Sequence, residues 1–424
     1  MVQLVLLLVF YLFFPVLLIY LTHKFQVLAK VGPVVLAYLF GLLFGNIGLL
    51  PEGSTAWHNL LGHRSFLPAK ELNQSISQGL LPGTDLLPNQ IARLQDLLMS
   101  LIIPLAIPLL LFTLDLRRWL HLAKEALFSL LLGVVSLVLV VAGGFFLFEK
   151  YIPEAWKIAG MLIGIYTGGT PNLAAISTAL EVQPNLFVLT HTYDLLIGSV
   201  FLVFLLTSAQ TVFNRFLPAF RSSHQPEDIP EQNENGFGAE NFDGLLRRES
   251  IRQMGLALAL SVLIFGLAGG LSLLVPQSAQ LVTVILGITS LGLLFSLNRR
   301  VNRLTPSFQA GMYLILAFSL LVSSMGDFRA MFNVDFIHLF LFVLLGVFGA
   351  MAVHLFLSWL FRVDTDTTII TITALTYSPP FVPVVAASLR NKEVIISGLT
   401  VGILGYAFGT YLGVGLAYLL QYLD

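Results

Sequence analysis

The feature that most constrains this chain is a series of apolar runs, each close to the roughly 20 residues that cross a bilayer as a helix. Twelve can be counted, near 2–21, 31–50, 97–114, 123–148, 156–180, 186–206, 253–275, 279–297, 308–325, 336–361, 367–389 and 393–421. Two are interrupted: Tyr166-Thr-Gly-Gly-Thr-Pro-Asn172 lies inside the fifth, and Tyr377-Ser-Pro-Pro-Phe-Val-Pro383 inside the eleventh. Glycine loosens the backbone, and proline removes an amide donor and clashes with the preceding turn. In hydrocarbon the freed amides and carbonyls survive only where protein or a polar cavity satisfies them. A single interruption reads equally well as a proline kink. Two in matched places, one per half, predict a binding site built from discontinuous helices.

Composition fits a multi-pass protein of the cell (plasma or inner) membrane, embedded in the lipid bilayer. The chain is 57% hydrophobic and 11% charged, where soluble domains carry about 25% charge. A net charge of −1 gives no case for nucleic acid. The absence of cysteine excludes thiol catalysis, thiolate metal sites and disulfides. Lys24 is the first formally charged residue, so Met1–Tyr20 reads as a retained span and not as a cleaved signal. Motifs of zinc hydrolases, intramembrane aspartyl proteases, phosphate loops and serine hydrolases are absent, so no enzyme activity and no cofactor are expected.

Residues 221–243 are polar, acidic and poor in aromatics, the composition of a disordered segment. With 207–250 as linker they separate a first repeat, 1–206, from a second, 251–424. The halves agree in the order of their parts. Asp115-Leu-Arg117 ends a span and Pro171 follows 56 residues on, while Asp327-Phe-Arg329 ends another and Pro380 follows 53 residues on. Residue identity is low, two in twelve when Gly169–Leu180 is set against Ser378–Leu389. The expected fold is an all-α polytopic membrane protein of about 12 transmembrane helices, in two repeated halves with one discontinuous helix each. Charge exposes a conflict in that count. The positive-inside rule wants Arg117, Arg118 and Lys124 on the same side as Arg299, Arg300 and Arg303. Five counted spans separate the two clusters. Inverted repeats also need an odd number of crossings between equivalent points, and six are counted.

Pro104-Leu-Ala-Ile-Pro-Leu-Leu-Leu-Phe-Thr-Leu-Asp-Leu-Arg-Arg118 and Gly402-Ile-Leu-Gly-Tyr-Ala-Phe-Gly-Thr-Tyr-Leu-Gly413 carry a resemblance. With the interruptions at 168–172 and 378–380, they resemble the membrane family catalogued as domain of unknown function 819. That family is similar in layout to cation/proton antiporters and bile-acid:sodium symporters. The resemblance implies a core domain, a panel domain, two broken helices crossing at mid-membrane and, by analogy, a homodimer. Asn172 falls where the symporter pattern has a sodium-ligating Asn. The first break has no Asn-Asp or Asp-Asp pair and the second has no carboxylate. Neither a standard proton-antiport dyad nor a standard pair of sodium sites is therefore implied.

At a break, helix N-termini offer unpaired amides and C-termini offer carbonyls. Gly168, Gly169, Thr170 and Pro171, with Tyr377, Ser378, Pro379 and Pro380, are the expected substrate-binding positions. Asp194 lies well inside an apolar run, and an intramembrane carboxylate costs at least about 2.5 kcal/mol. Thr190 shares its helical face at i−4 and His191 stands at i−3. Thr167, Asn172, Thr190 and Asp194 are the expected ion-binding set, with no metal beyond Na⁺. The plainer alternative is a structural Asp194–His191 pair. Thr371, Thr373 and Thr376 suggest a hydroxyl-bearing half-helix facing a cavity, or local bonds to the preceding turn. His354 is expected to be bonded inside the bundle. Gly402, Gly405, Gly409 and Gly413 form a small-residue face for close packing.

The expected function is secondary active transport by alternating access at a midplane site, with Na⁺ or H⁺ driving a small organic anion. Two alternatives remain open: a cation/proton antiporter without organic substrate, and a non-transporting membrane receptor or scaffold.

Overall fold

A computed structural model describes residues 2–25, 28, 32–61, 66–113, 124–220, 248–326, 336–377, 379–391 and 393–423. The 221–243 segment, Ser378, and Asp115, Arg117, Arg118, Asp327 and Arg329 at the span ends lie outside them. Regular structure among the described residues is helical. In chain order the helices are α1 (Val2–Lys24), α2 (Pro33–Asn46), α3 (Thr55–Leu61), α4 (Ala69–Ser77), α5 (Leu86–Leu111) and α6 (Lys124–Phe148). Next come α7 (Ala155–Ala179), α8 (Pro184–Thr207), α9 (Ala209–Phe213), α10 (Arg248–Ser272), α11 (Gln280–Ser296), α12 (Arg299–Asn302) and α13 (Pro306–Ser323). Then α14 (Ile337–Leu344) runs through a π-helical turn, Leu345–Gly349, into α15 (Ala350–Phe361). Last are α16 (Thr365–Tyr377), α17 (Val382–Ser388) and α18 (Val394–Leu423).

Among the described residues eight helical stretches are long and apolar enough to cross a membrane: Val2–Lys24, Gly83–Leu111, Ala126–Phe148, Pro184–Thr207, Glu249–Ser272, Pro306–Ser323, Ile337–Phe361 and Val394–Leu423. Pro33–Asn46 and Gln280–Ser296 are apolar but shorter. The two interrupted runs, counted above among twelve spans, behave differently: both fold back on themselves.

In α7 the regular geometry fails at Tyr166, Gly168 and Gly169. Gly169 sits at φ 65°, ψ −159°, a region open in practice only to glycine. Pro171 then stands in the first turn of the returning limb, where its missing amide costs no helical bond. The limbs, 155–165 and 170–179, lie side by side. A Cβ on Gly164 would fall 2.4 Å from Ile176 Cδ1, and one on Gly160 would fall 3.2 Å from Leu180 Cδ1. In a continuous helix residues 160 and 180 would stand about 30 Å apart.

The second run reverses at the 3₁₀ turn Pro379–Phe381 between α16 and α17. Its roots are tied together. Asp366 Oδ2 accepts from Asn391 Nδ2 at 2.8 Å, and Asp366 Oδ1 accepts from Gln210 Nε2 at 3.0 Å. A straight helix would separate residues 366 and 391 by about 37 Å. Each limb of either hairpin is some 10–20 Å long at the helical rise of about 1.5 Å per residue, half a bilayer or less.

The described chain forms two compact units. One comprises Met1–Ile103, Glu181–Leu189 and Tyr313–Asn333; the other comprises Pro104–Leu180, Thr190–Met312 and Val334–Asp424. Both draw on the two sequence halves. In the first unit Tyr11, Gln95 and Ser324 form a buried polar cluster, with Gln95 Nε2 donating to the Tyr11 hydroxyl at 2.9 Å and Ser324 Oγ 2.7 Å from it. Trp57, Leu67, Leu72 and Leu81, between α2 and α5, form a small core of their own with Ala92 of α5. Asn89 ties this core together by accepting from Trp57 Nε1 (3.1 Å) and the Leu67 amide (2.7 Å) and donating to the Leu67 carbonyl (2.9 Å).

Candidate functional site

The second unit holds both hairpins, and α18 organises them. Gly398, Gly402, Gly405, Gly409 and Gly413 recur every three or four residues and so face one way. A Cβ on Gly398 would meet Ile370 and Val382, one from each limb of the second hairpin, at 2.7 and 2.6 Å. On Gly402 it would meet Pro379 at that hairpin's tip, 2.7 Å away. On Gly405 it would fall 1.7 Å from the Thr167 carbonyl oxygen, and on Gly409 2.2 Å from Thr167 Oγ1 and 2.3 Å from Asn172 Nδ2, all at the first hairpin's tip. On Gly413 it would strike Ile176 Cδ1 at 2.3 Å and the Gly160 carbonyl at 2.7 Å, one from each limb of the first hairpin. Along α18 the order is therefore second hairpin from limbs to tip, then first hairpin from tip to limbs. The hairpins approach from opposite ends of the helix and their tips come together near its middle.

Asn172 is committed to α18. Its Nδ2 donates to the Gly405 carbonyl at 3.1 Å, and its Oδ1 accepts from Thr410 Oγ1 at 3.4 Å. Thr167 is buried and donates to the Ile163 carbonyl at 2.7 Å, within its own limb. Thr170 is half-buried and Pro171 buried. These residues, with Gly405 and Gly409, make a cluster rich in oxygen atoms and without ionised groups.

Asp194 belongs to a second cluster on α8. Its carboxylate is 14% exposed and lies 3.8 Å from His191 Nδ1, beyond hydrogen-bonding distance. Two tyrosines come within electrostatic reach, one from each tip. Tyr166 opens the first break; its buried hydroxyl faces Asp194 in a weak hydrogen-bond interaction, longer than a full bond. Tyr377 opens the second; it interacts with Asp194 while donating to the Gly198 carbonyl at 2.5 Å. Thr190, buried, lies one turn before Asp194. Thr167, Asn172, Thr190 and Asp194 were the expected ion-binding set; Thr167 bonds within the first hairpin and Asn172 to α18, while Asp194 neighbours Tyr166, Tyr377 and His191.

In the sequence Tyr166 is only the edge of a break. Nothing in its spacing pointed to Asp194, 28 positions on, because the encounter depends on the reversal at Gly169. Its counterpart position in the second break, Tyr377, is what could have drawn attention to it. Of the α16 threonines, Thr373 donates to the Ile369 carbonyl at 2.8 Å, Thr371 is buried with its hydroxyl unbonded, and Thr376 lines a small cavity with Tyr166 and His354.

At the second hairpin's roots, Gln210, Asn214, Asp366, Arg390, Asn391 and Glu393 line an open polar cavity of about 420 Å³. Asp366 is buried there, its two oxygens held by the carboxamides of Gln210 and Asn391.

A protein of Bacillus subtilis (strain 168) described as uncharacterised membrane protein YjcL is 28% identical over 331 residues, covering 75% of this chain and 81% of that relative. The family described as Protein of unknown function (DUF819) matches residues 82–423, which include both hairpins, α8 and α18. This chain, an integral membrane protein with several spanning helices, belongs to that family.

Proposed function

We propose that the protein is a secondary active transporter of ten crossings and two re-entrant hairpins, with its site where the hairpin tips meet. The ten crossings are the eight long apolar stretches with α2 and α11. Treating the hairpins as re-entrant removes the conflict in the charge pattern. Four crossings now separate Lys124 from Arg299, and both basic clusters fall on one face. Sixteen of the 22 Lys and Arg residues gather on that face, leaving Arg64, Lys70, Arg93, Lys150, Lys157 and Arg329. By the positive-inside rule the richer face is cytoplasmic. The order long helix, hairpin, long helix occurs as α6, first hairpin, α8 and again as α14–α15, second hairpin, α18. Five crossings between equivalent points make the two inverted.

The observation that carries the reading is the opposition of the tips on α18. Irregular backbone at membrane depth offers amides and carbonyls to a solute, and inverted halves give equivalent routes from the two faces. A small organic anion suits the amides that open the returning limb of the first hairpin; Na⁺ or H⁺ suits the carbonyl, hydroxyl and carboxylate oxygens. The pairing of Asp194 with a tyrosine from each tip favours one second reading, cation/proton exchange with no organic solute. Purified protein in liposomes, under imposed Na⁺ and pH gradients and offered labelled small carboxylates, tests both. Saturable, gradient-driven uptake supports transport. Proton flux that ignores every carboxylate supports exchange. Binding without flux in any condition sinks both in favour of a receptor or scaffold.

A further inference from the structure

The polar cluster around Asp194 does not end at Tyr166. The Tyr166 ring reaches the π-helical turn between α14 and α15, where a Cβ on Gly346 would lie 3.1 Å from Tyr166 Cε2. A π turn loosens the regular helical ladder and recurs at functional sites. Glycine at 346 lets the Tyr166 ring come close to the turn. A cavity of about 30 Å³ lies there, lined among others by Gly133, Tyr166, Gly346, His354 and Thr376. That is room for one water, and a water needs two to four polar partners.

The partners are in place. The Tyr166 side chain is 3% exposed, and its hydroxyl, whose Asp194 interaction is longer than a full hydrogen bond, has room for a closer partner. His354 is 2% exposed on α15, which also buries Ser358 one turn on, and a buried ring nitrogen needs a polar partner. Its Nε2 lies 3.4 Å from Ser129 Oγ. Its Nδ1 lies toward Gly133, where an added Cβ would come within 3.4 Å of it. Thr376 brings a third polar group from the limb of the second hairpin.

We propose that this cavity holds one water bridging the Tyr166 hydroxyl to His354 Nδ1, so that Asp194, Tyr166, the water and His354 form a buried proton relay. Its purpose rests on the transporter reading; its existence does not. His354 donates Nε2–H to Ser129 and keeps Nδ1 as acceptor. A proton leaving the Asp194 carboxylic acid binds the Tyr166 oxygen as the Tyr166 proton passes to the water, and a proton of that water passes to Nδ1. Tyr166 and the water end neutral, Asp194 ends as carboxylate and His354 as imidazolium. The other titratable groups facing the relay are His191 on α8 and Tyr377 on α16.

The test uses the full chain in lipid nanodiscs with ¹⁵N-labelled histidine, with His354→Gln assigning one signal among the eight histidines. The expected signal is a neutral ring with a hydrogen-bonded Nδ1, which Tyr166→Phe moves toward the position of an unbonded nitrogen. Thr376→Val, a second and milder change, moves it the same way. A His354 signal that stays fixed in both variants overturns the relay. Flux separates the two ideas. Wild-type protein that moves no solute while Tyr166→Phe still shifts His354 leaves the water bridge standing without the transporter. Active flux with a fixed His354 signal leaves the transporter standing without the bridge.

Discussion

Gly405 and Thr167 approach so closely that a Cβ at the first would lie 1.7 Å from the carbonyl oxygen of the second. No side chain fits there without moving the hairpin tip. Gly405→Ala is therefore expected to lower stability by about 1–3 kcal/mol, the usual cost of overpacking. Gly255 on α10 has open space where its Cβ would be, so Gly255→Ala should leave the melting temperature unchanged or slightly raised. Thermal unfolding in detergent compares the two, and equal effects would remove the close approach as the cause.

Asn172 ties the first tip to α18 through the Gly405 carbonyl and Thr410. Replacing it with alanine strands buried polar groups, at about 1–3 kcal/mol. If this oxygen cluster binds sodium, Na⁺ at about 100 times its dissociation constant adds about 2.7 kcal/mol to the wild type. Asn172→Ala should lose that increment. A sodium-induced rise in melting temperature that persists in the variant places the ion elsewhere.

Asp194→Asn preserves shape and removes the titrating carboxyl. Proton-driven flux in liposomes should fall to background while the melting temperature stays near that of the wild type. Undiminished proton coupling would dismiss Asp194 as the coupling group.

Asp366 and Asn391 close the roots of the second hairpin. Asp366→Ala and Asn391→Ala, alone and together, should show a coupling energy of about 1 kcal/mol in a double-mutant cycle. Additive losses would mean that the bond does not hold the limbs together.

The native chain has no cysteine, so single cysteines report topology without a background. Arg300→Cys and Arg390→Cys should react with a membrane-impermeant maleimide only from the cytoplasmic face, and Lys150→Cys only from the opposite face. Labelling of Arg300→Cys and Lys150→Cys from the same side would rule out the ten-crossing arrangement.

Helix positions were legible in the sequence because an apolar run long enough for a bilayer has few other uses. The direction of the chain within a run was not. Hydropathy is the same for a helix that continues past Gly169 and for one that turns back. Gly-Gly-Thr-Pro permits a kink or a reversal, and only the encounters of Gly160 with Leu180 and of Gly164 with Ile176 distinguish them. One signal did carry the information. The basic residues around 117–124 and 299–303 are on one side only if a run between them fails to cross. At the site, spacing along α8 identified Asp194 as costly to bury. Its tyrosine neighbours stayed hidden because both arrive from hairpin tips, and Ser378 lies outside the described residues.

The glycine face of α18 has a consequence for how the protein is made. A ribosome makes α18 after both hairpins, yet it is the surface on which they rest. The first hairpin has thus been synthesised for more than half the chain's length before its tip can find Gly405 and Gly409. Until then its freed backbone groups must be sheltered by water, by the insertion machinery or by a temporary neighbour. Removing α18 is therefore expected to unseat a structure that was translated early, and degradation of nascent chains should rise in truncations that end before residue 398, with α7 itself intact.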